Sequence, residues 1–297
     1  MKPSPKHCTG FTLLEVLLAS ALGLALIGVV LQNYLSSKNI YNAQTAIARL
    51  TENIRFANFF LEQNIMHAGF AGCRRISELD LTNHADIGFG ALEAIHGYDS
   101  AQAPLYLKKK KIAPGTDVII ITKANSGITN VTADVKAGAT SMKVEQNPVT
   151  QASNLLLISD CSSADLFIAK NWADKTIVTE SELHHSYQAS SAQVSQFEEL
   201  SFFISSTARD TAKRGPVYSL YFSVNRGRKQ ELVPEISDMQ IVYGVDAQGQ
   251  GMVTKYLKAN EITSWNKVLS VVITLKPQNQ LLALNQWKIY IKLRERD

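Results

Sequence analysis

One carboxylate stands where carboxylates are costly. In "CTGFTLLEVLLASALGLALIGVVL", residues 8–31, Glu15 is the only charged side chain between Phe11 and Leu31. An ionised acid in hydrocarbon is expensive, and is normally retained because it meets a cation or snorkels to the headgroups. Paired with an ammonium in a helix bundle, it would be far less costly than alone. The second group with chemistry is thiol. Cys8 precedes the apolar run, while Cys73 and Cys161 follow it. If the run crosses a membrane, the later two share an exported compartment, where an even pair reads as a disulfide; the alternative is two buried free thiols.

Other candidate constellations are weaker. "ESELHH", residues 180–185, offers Glu180, Glu182, His184 and His185. Adjacent histidines on a strand point to opposite faces, so a shared metal is not expected. "VDAQGQG", residues 245–251, has Asp246 as its lone acid. A calcium loop needs several oxygen ligands, so a turn is expected instead. "LKKKKIAP", residues 107–114, reads either as a phosphate contact or as a solvated loop tip that discourages edge pairing of sheets. With no aromatic among the lysines and a formal net charge of only +4, the loop tip is preferred and nucleic acid is not an expected partner. No nucleophile elbow, phosphate loop or HExxH motif occurs, so neither an enzyme nor a cofactor is expected.

The elements that must position these groups follow from periodicity. Residues 11–31 would span about 30 Å as a helix, one bilayer core. Lys2 and Lys6 precede the run and the next charge is Lys38, which favours a cytoplasmic N-terminus and an exported bulk. A cleaved secretory signal would end near "ASALG", but the apolar run continues through "LALIGVVL". Beyond it, Ile40, Ala43, Ile47, Leu50, Ile54, Ala57, Leu61 and Ile65 recur at steps of three and four. One helix from about Phe11 to Met66 is therefore expected, with its second half packing this stripe on a head. Gly23 and Gly28 are candidate sites of bending, melting or close helix packing. After "AGFAGCRR" the pattern changes to short β-rich runs: "TDVIIIT", "NLLLISDC", "LSFFIS", "PVYSLYFSV", "DMQIVYGV", "KVLSVVITL" and "QWKIYIKL". The expected fold is α+β: a long N-terminal helix on a mainly antiparallel β head of one or two sheets. "KANEITSWNKV", residues 258–268, is expected as a short helix.

The basic leader, Gly10, Phe11 and "TLLEVLLA" with Glu15 at the fifth place after the glycine resemble the type IV pilin class of signal. That resemblance implies cleavage of Gly10–Phe11 by prepilin peptidase, N-methylation of Phe11, and Glu15 meeting the new Phe11 ammonium of a neighbouring subunit. "GFAGCRR", "LLISDCSSADLF", "EISDMQIVYGVDAQGQG" and "SWNKVLSVVITL" resemble the PilW family of minor pilins. In many relatives an arginine stands where this chain has Val272. The implied organisation is a leader at 1–10, a transmembrane half-helix at 11–31, an amphipathic half at 32–67 and a β-rich head at 68–297. The implied role is assembly or priming of type IV pili near the tip, with other minor pilins and the major pilin as partners. The implied location is the inner membrane with a periplasmic head, and then the pilus on the cell surface. A large type II secretion pseudopilin and a membrane-anchored DNA-uptake receptor are the alternatives.

Overall fold

The computed structural model describes residues 12–85, 93–125, 128–146, 154–207, 216–278 and 286–293. The chain divides into two compact units, Met1–Glu52 and Asn53–Asp297. Helix α1 runs unbroken from Leu13 to Ile65, close to the bounds its apolar pattern predicts. In the first unit it passes through Gly23 and Gly28 with no neighbouring atom within 4 Å of where their Cβ atoms would lie, and with no loss of helical structure. Ile40 and Ile47 are exposed, so the predicted stripe is not buried along its whole length. In the second unit the stripe is buried at Ile54, Ala57, Leu61 and Ile65. There Phe60 meets Phe222 at 5.1 Å and Phe202 edge-on at 6.1 Å between ring centroids.

The head follows with β1 (Asp80–Asn83), β2 (Ile95–Asp99), a one-turn helix α2 (Leu105–Lys108), β3 (Asp117–Ala124), β4 (Thr129–Asn130) and β5 (Ser141–Lys143). Next come β6 (Leu155–Ser159), β7 (Ser163–Ala173), β8 (Thr176–Thr179), β9 (Gln193–Ser206) and β10 (Tyr218–Val224). The last strands are β11 (Gln230–Pro234), β12 (Ile236–Val245), β13 (Lys255–Leu257), β14 (Val268–Pro277) and β15 (Trp287–Lys292). All seven of the β-rich runs quoted above contribute strands.

Two sheets form. The larger is built around β9, whose first residues pair with β6 and β4 and whose later residues pair with β3 and β10, all antiparallel. The one parallel pairing among the described residues joins β1 to β7. The smaller sheet has the order β13-β12-β14-β15 and is antiparallel throughout. Its strands alternate as a half-buried sheet should: Met239, Ile241, Tyr243, Val271, Ile273, Ile289 and Ile291 face inward and are buried. The two sheets approach closely at Gly97 of β2. A Cβ there would lie 2.1 Å from the Tyr243 hydroxyl of β12, so only glycine admits the tyrosine. The Tyr243 ring also meets Trp265 edge-on at 4.9 Å. The segment expected as a helix over 258–268 is instead two single 3-10 turns, Ala259–Glu261 and Trp265–Lys267. Ile262 and Ser264 are extended between them, which breaks the run before an α-helical hydrogen bond can propagate.

Candidate functional site

Gly10 and Phe11 lie outside the described residues, as do Cys8 and the rest of the leader. Four positions beyond Phe11, Glu15 has a local partner. Thr12 precedes α1, and its backbone N–H donates to Glu15 Oε2 at 3.1 Å. In return the Glu15 N–H donates to Thr12 Oγ1 at 3.3 Å. The threonine hydroxyl also donates to Glu15 Oε2, at 3.2 Å. This is a reciprocal capping box: each side chain satisfies a backbone donor that the first helical turn leaves orphaned. The carboxylate also sits at the positive end of the helix dipole. Among the described residues, Glu15 Oε1 accepts no hydrogen bond. The acid can therefore hold the start of its own helix with one oxygen and offer the other to a donor from elsewhere.

Around it, the helix presents its apolar side chains outward. Leu13 is 82% and Leu24 71% exposed. The most apolar 18-residue window of the helix has a mean hydropathy of 2.4, with none of it buried. By length and composition this helix can cross a membrane.

The far end of α1 is organised by the two later cysteines. Gly69 and Gly72 take positive φ angles of 77° and 97°, which turn the chain out of the helix. The Gly69 N–H donates to the Thr122 carbonyl at 2.6 Å, and that of Ala124 to the Phe70 carbonyl at 2.7 Å, pinning the exit to β3. Cys73 then forms a disulfide with Cys161, their Cα atoms 5.3 Å apart. Asp160 shapes the partner loop by accepting from the N–H groups of Ser162 and Ser163, both at 2.7 Å. Burial pushes the Asp160 carboxyl up, but these hydrogen bonds, the Ser162 hydroxyl and the nearby His185 outweigh it and leave its pKa lowered. Nearby, Ser159 donates to the Ala71 carbonyl at 2.7 Å. Thus "GFAGCRR" and "LLISDCSSADLF", far apart in sequence, form one junction.

Beside this junction lies a polar cluster that the sequence reading missed. Asp165 on β7 is fully buried. It accepts from Tyr187 Oη at 2.8 Å and from the N–H groups of His184 and His185 at 3.2 and 3.0 Å. His84 Nε2 lies 2.7 Å and His185 Nδ1 3.2 Å from the same carboxylate. Burial alone would raise its pKa; the contacts from His84, His185, Tyr187 and His184 lower it instead. The adjacent histidines of "ESELHH" are thus joined through their backbone amides to a carboxylate. Among the described residues, no three His, Cys, Asp or Glu side chains are arranged to hold a metal ion. The available signal was a lone acid inside the apolar strand "SADLFIAK".

Asp246 behaves as a turn former. Its carboxylate accepts from the N–H groups of Gln248, Gly249 and Gly251 at 3.1, 2.7 and 2.7 Å. Val272 lies on β14 beside Tyr290 of β15, where its side chain helps line a shallow apolar groove with Met252 and Tyr256. Glu180 and Glu182 take no part in the Asp165 cluster.

The hairpin β10–β11 and the first three strands of the smaller sheet, β12, β13 and β14, form a contiguous stretch of sequence, and this stretch is the informative one. Residues 204–280 match the family model PilW, Type IV Pilus-assembly protein W. The match supports a PilW-family type IV pilus protein and involvement in type IV pilus assembly. It covers the sheet-packing residues Tyr243 and Trp265, and it begins inside β9. No curated protein and no solved structure matches the chain. The PilW segment therefore accounts for part of the head, while the helix and the disulfide junction stand on their own geometry.

Proposed function

We propose that this chain is a minor pilin: a structural subunit, not an enzyme, that enters the type IV pilus assembly machinery through its N-terminal helix. The observation that carries the reading is the combination, in one chain, of a PilW match within the head and a helix whose apolar first part, up to Leu31, stays exposed and holds a single acid, Glu15, at its start. An exposed apolar helix of this length requires either lipid or other helices around it. A bilayer supplies the first before assembly, and a filament core supplies the second afterwards.

In this proposal the helix crosses the inner membrane with its basic end in the cytoplasm and the head in the periplasm. Prepilin peptidase cleaves after Gly10, leaving Phe11 as an N-methylated terminus. The Phe11 ammonium of one subunit then meets the open oxygen of Glu15 on another, which sets the stagger between helices. Other minor pilins and the major pilin are the partners, and the place of action is the priming complex or the pilus tip. The capping box fits this scheme because it holds the carboxylate at a fixed place on the helix, where a partner can find it.

The direct test of processing is the N-terminal sequence and mass of protein purified from membranes. Mature chains should begin at methylated Phe11, and Gly10→Leu should accumulate uncut chain. A wild-type N-terminus anywhere else removes the prepilin reading.

A further inference from the structure

The four-lysine run does not stand alone in the fold. It leaves α2 and folds over the face of the larger sheet that carries Phe203 and Tyr221, where the backbone carbonyls of Lys110 and Lys111 accept from Ser205 Oγ at 2.8 and 2.9 Å. There it meets the "NRGRK" turn, residues 225–229, which joins β10 to β11. The Lys110 ammonium donates to the Gly227 carbonyl and, at 3.4 Å, to that of Arg226. Two segments more than a hundred residues apart thus bring Lys108, Lys109, Lys110, Lys111, Arg226, Arg228 and Lys229 to one surface.

The cations divide into two sets. Three are built in. Arg226 stacks over Tyr106, 4.7 Å from the ring centroid, and approaches the buried Glu199 at 3.4 Å. Lys229 lies 4.5 Å above the Tyr221 ring and donates to Ser205 Oγ at 2.7 Å. Lys110 is fixed by the turn carbonyls. The other four, Lys108, Lys109, Lys111 and Arg228, are exposed, and among the described residues none of them forms an ion pair with a carboxylate. The surrounding acids do not cancel the set: Glu199 is buried beneath it, and Glu231 accepts from Ser219 at 3.0 Å while attracting Lys229. Lys229 has its pKa lowered first by burial and then by the like charge of Lys111, which outweigh the opposing attraction of Glu231. Both segments also hold non-glycine residues in left-handed backbone: Lys111 at φ 59°, Asn225 at 46° and Arg226 at 61°. Such conformations cost free energy and concentrate at functional sites.

We propose that this surface binds the phosphate backbone of duplex DNA without reading its sequence. Clustered cations on a rigid base are what a polyphosphate needs, and the exposed four would each displace a condensed counterion. The tyrosine faces are already covered by Arg226 and Lys229, so they are not open to stacked bases as a single-strand site requires. Leu105 is the exposed apolar side chain next to the run, too little surface for an interfacial membrane anchor. The proposal is independent of the pilin reading, because it rests on the head alone.

The test uses the full chain in neutral detergent micelles and a 30-base-pair fluorescent duplex of arbitrary sequence, titrated between about 50 and 200 mM salt. Wild-type protein should bind with log K falling against log salt at a slope of about −3 to −4, as expected for four phosphate contacts. Lys108→Gln/Lys109→Gln/Lys111→Gln/Arg228→Gln should weaken binding at least tenfold and flatten that slope. Lys136→Gln/Lys143→Gln/Lys170→Gln/Lys175→Gln, with the same charge change on other exposed positions, should leave it intact. Equal loss in both variants would reduce the effect to net charge and overturn the site. Stronger binding to single strands, or capture by phosphatidylglycerol vesicles with no affinity for DNA, would also overturn it.

Discussion

The first unit and the head are built from the same apolar residue types and treat them in opposite ways. Leu13, Leu17 and Leu24 lie exposed along the helix, whereas Leu156, Leu157 and Leu220 in the head are fully buried. The head satisfies its own apolar surface with two packed sheets, a disulfide and a hydrogen-bonded acid. The helix satisfies only its backbone, and caps its start with Thr12 and Glu15. One part is finished by its own fold; the other is finished by what surrounds it. Mutations of buried residues in the head should therefore register as stability, and mutations in the first unit as location and partnership.

The largest effect on the head is expected from Cys73→Ser/Cys161→Ser. The bridge closes a loop with a sequence separation of 88. The chain-entropy model assigns such a loop about 4–5 kcal/mol. Thermal melting of the full chain in micelles should show the head transition lowered by many degrees, with membrane association unchanged. If association fell equally, the division between the two parts would fail.

Asp165→Asn comes next. An amide cannot accept at both ends, so contacts from His84, His185 or Tyr187 would be lost in a buried site, at about 3 kcal/mol. The pH dependence carries a sign. Asp160 and Asp165 both have folded pKa values lowered from the ordinary 3.8. Their contribution to stability is complete above the unfolded value and is lost as pH falls through the lower folded ones. Denaturant titrations across pH 2–6 (a range bracketing the usual carboxylate pKa of about 4) should show a shallower acid loss for Asp165→Asn than for wild type. Identical acid profiles would show that Asp165 does not contribute this linkage.

Glycines sharpen the contrast at smaller scale. Gly97→Ala would place a methyl 2.1 Å from the Tyr243 hydroxyl, and overpacking of this kind costs about 1–3 kcal/mol. Gly28→Ala meets nothing within 4 Å and should instead firm the helix by about 1 kcal/mol. Adding Tyr243→Phe to Gly97→Ala removes the nearest atom and should recover part of the loss. Melting of the head and helical circular dichroism of the chain in micelles separate the two effects.

Local pattern explains which features were legible in the sequence. The period of three and four drew α1 almost to its observed ends, and short β-branched runs drew the strands. The Thr12-x-x-Glu15 spacing also carried a capping signature, overshadowed by the membrane cost of the acid. What escaped was non-local. His84 and Asp165 are 81 residues apart and meet only because β1 lies parallel on β7. The lysine run looked isolated because its arginine-bearing neighbour turn lies over a hundred residues downstream. The segment over 258–268 looked helical because its composition is, yet Trp265 must face the core beside Tyr243, and packing overrode propensity.

The central claim is that the helix carries a charge meant for a partner, and Glu15→Gln tests it most directly. Glutamine can keep the capping box by accepting from the Thr12 N–H, so helix start and insertion should survive. Thr12→Ala is the converse control, since it weakens the cap by about 1 kcal/mol and leaves the carboxylate. The measurement is co-purification of the other pilins with each tagged, processed variant from detergent-extracted membranes, alongside a count of surface pili. The account predicts that Glu15→Gln is processed and membrane-resident but loses most partner capture and piliation, while Thr12→Ala retains most of both. Normal capture and normal piliation by processed Glu15→Gln would contradict it and leave Glu15 as a helix cap alone.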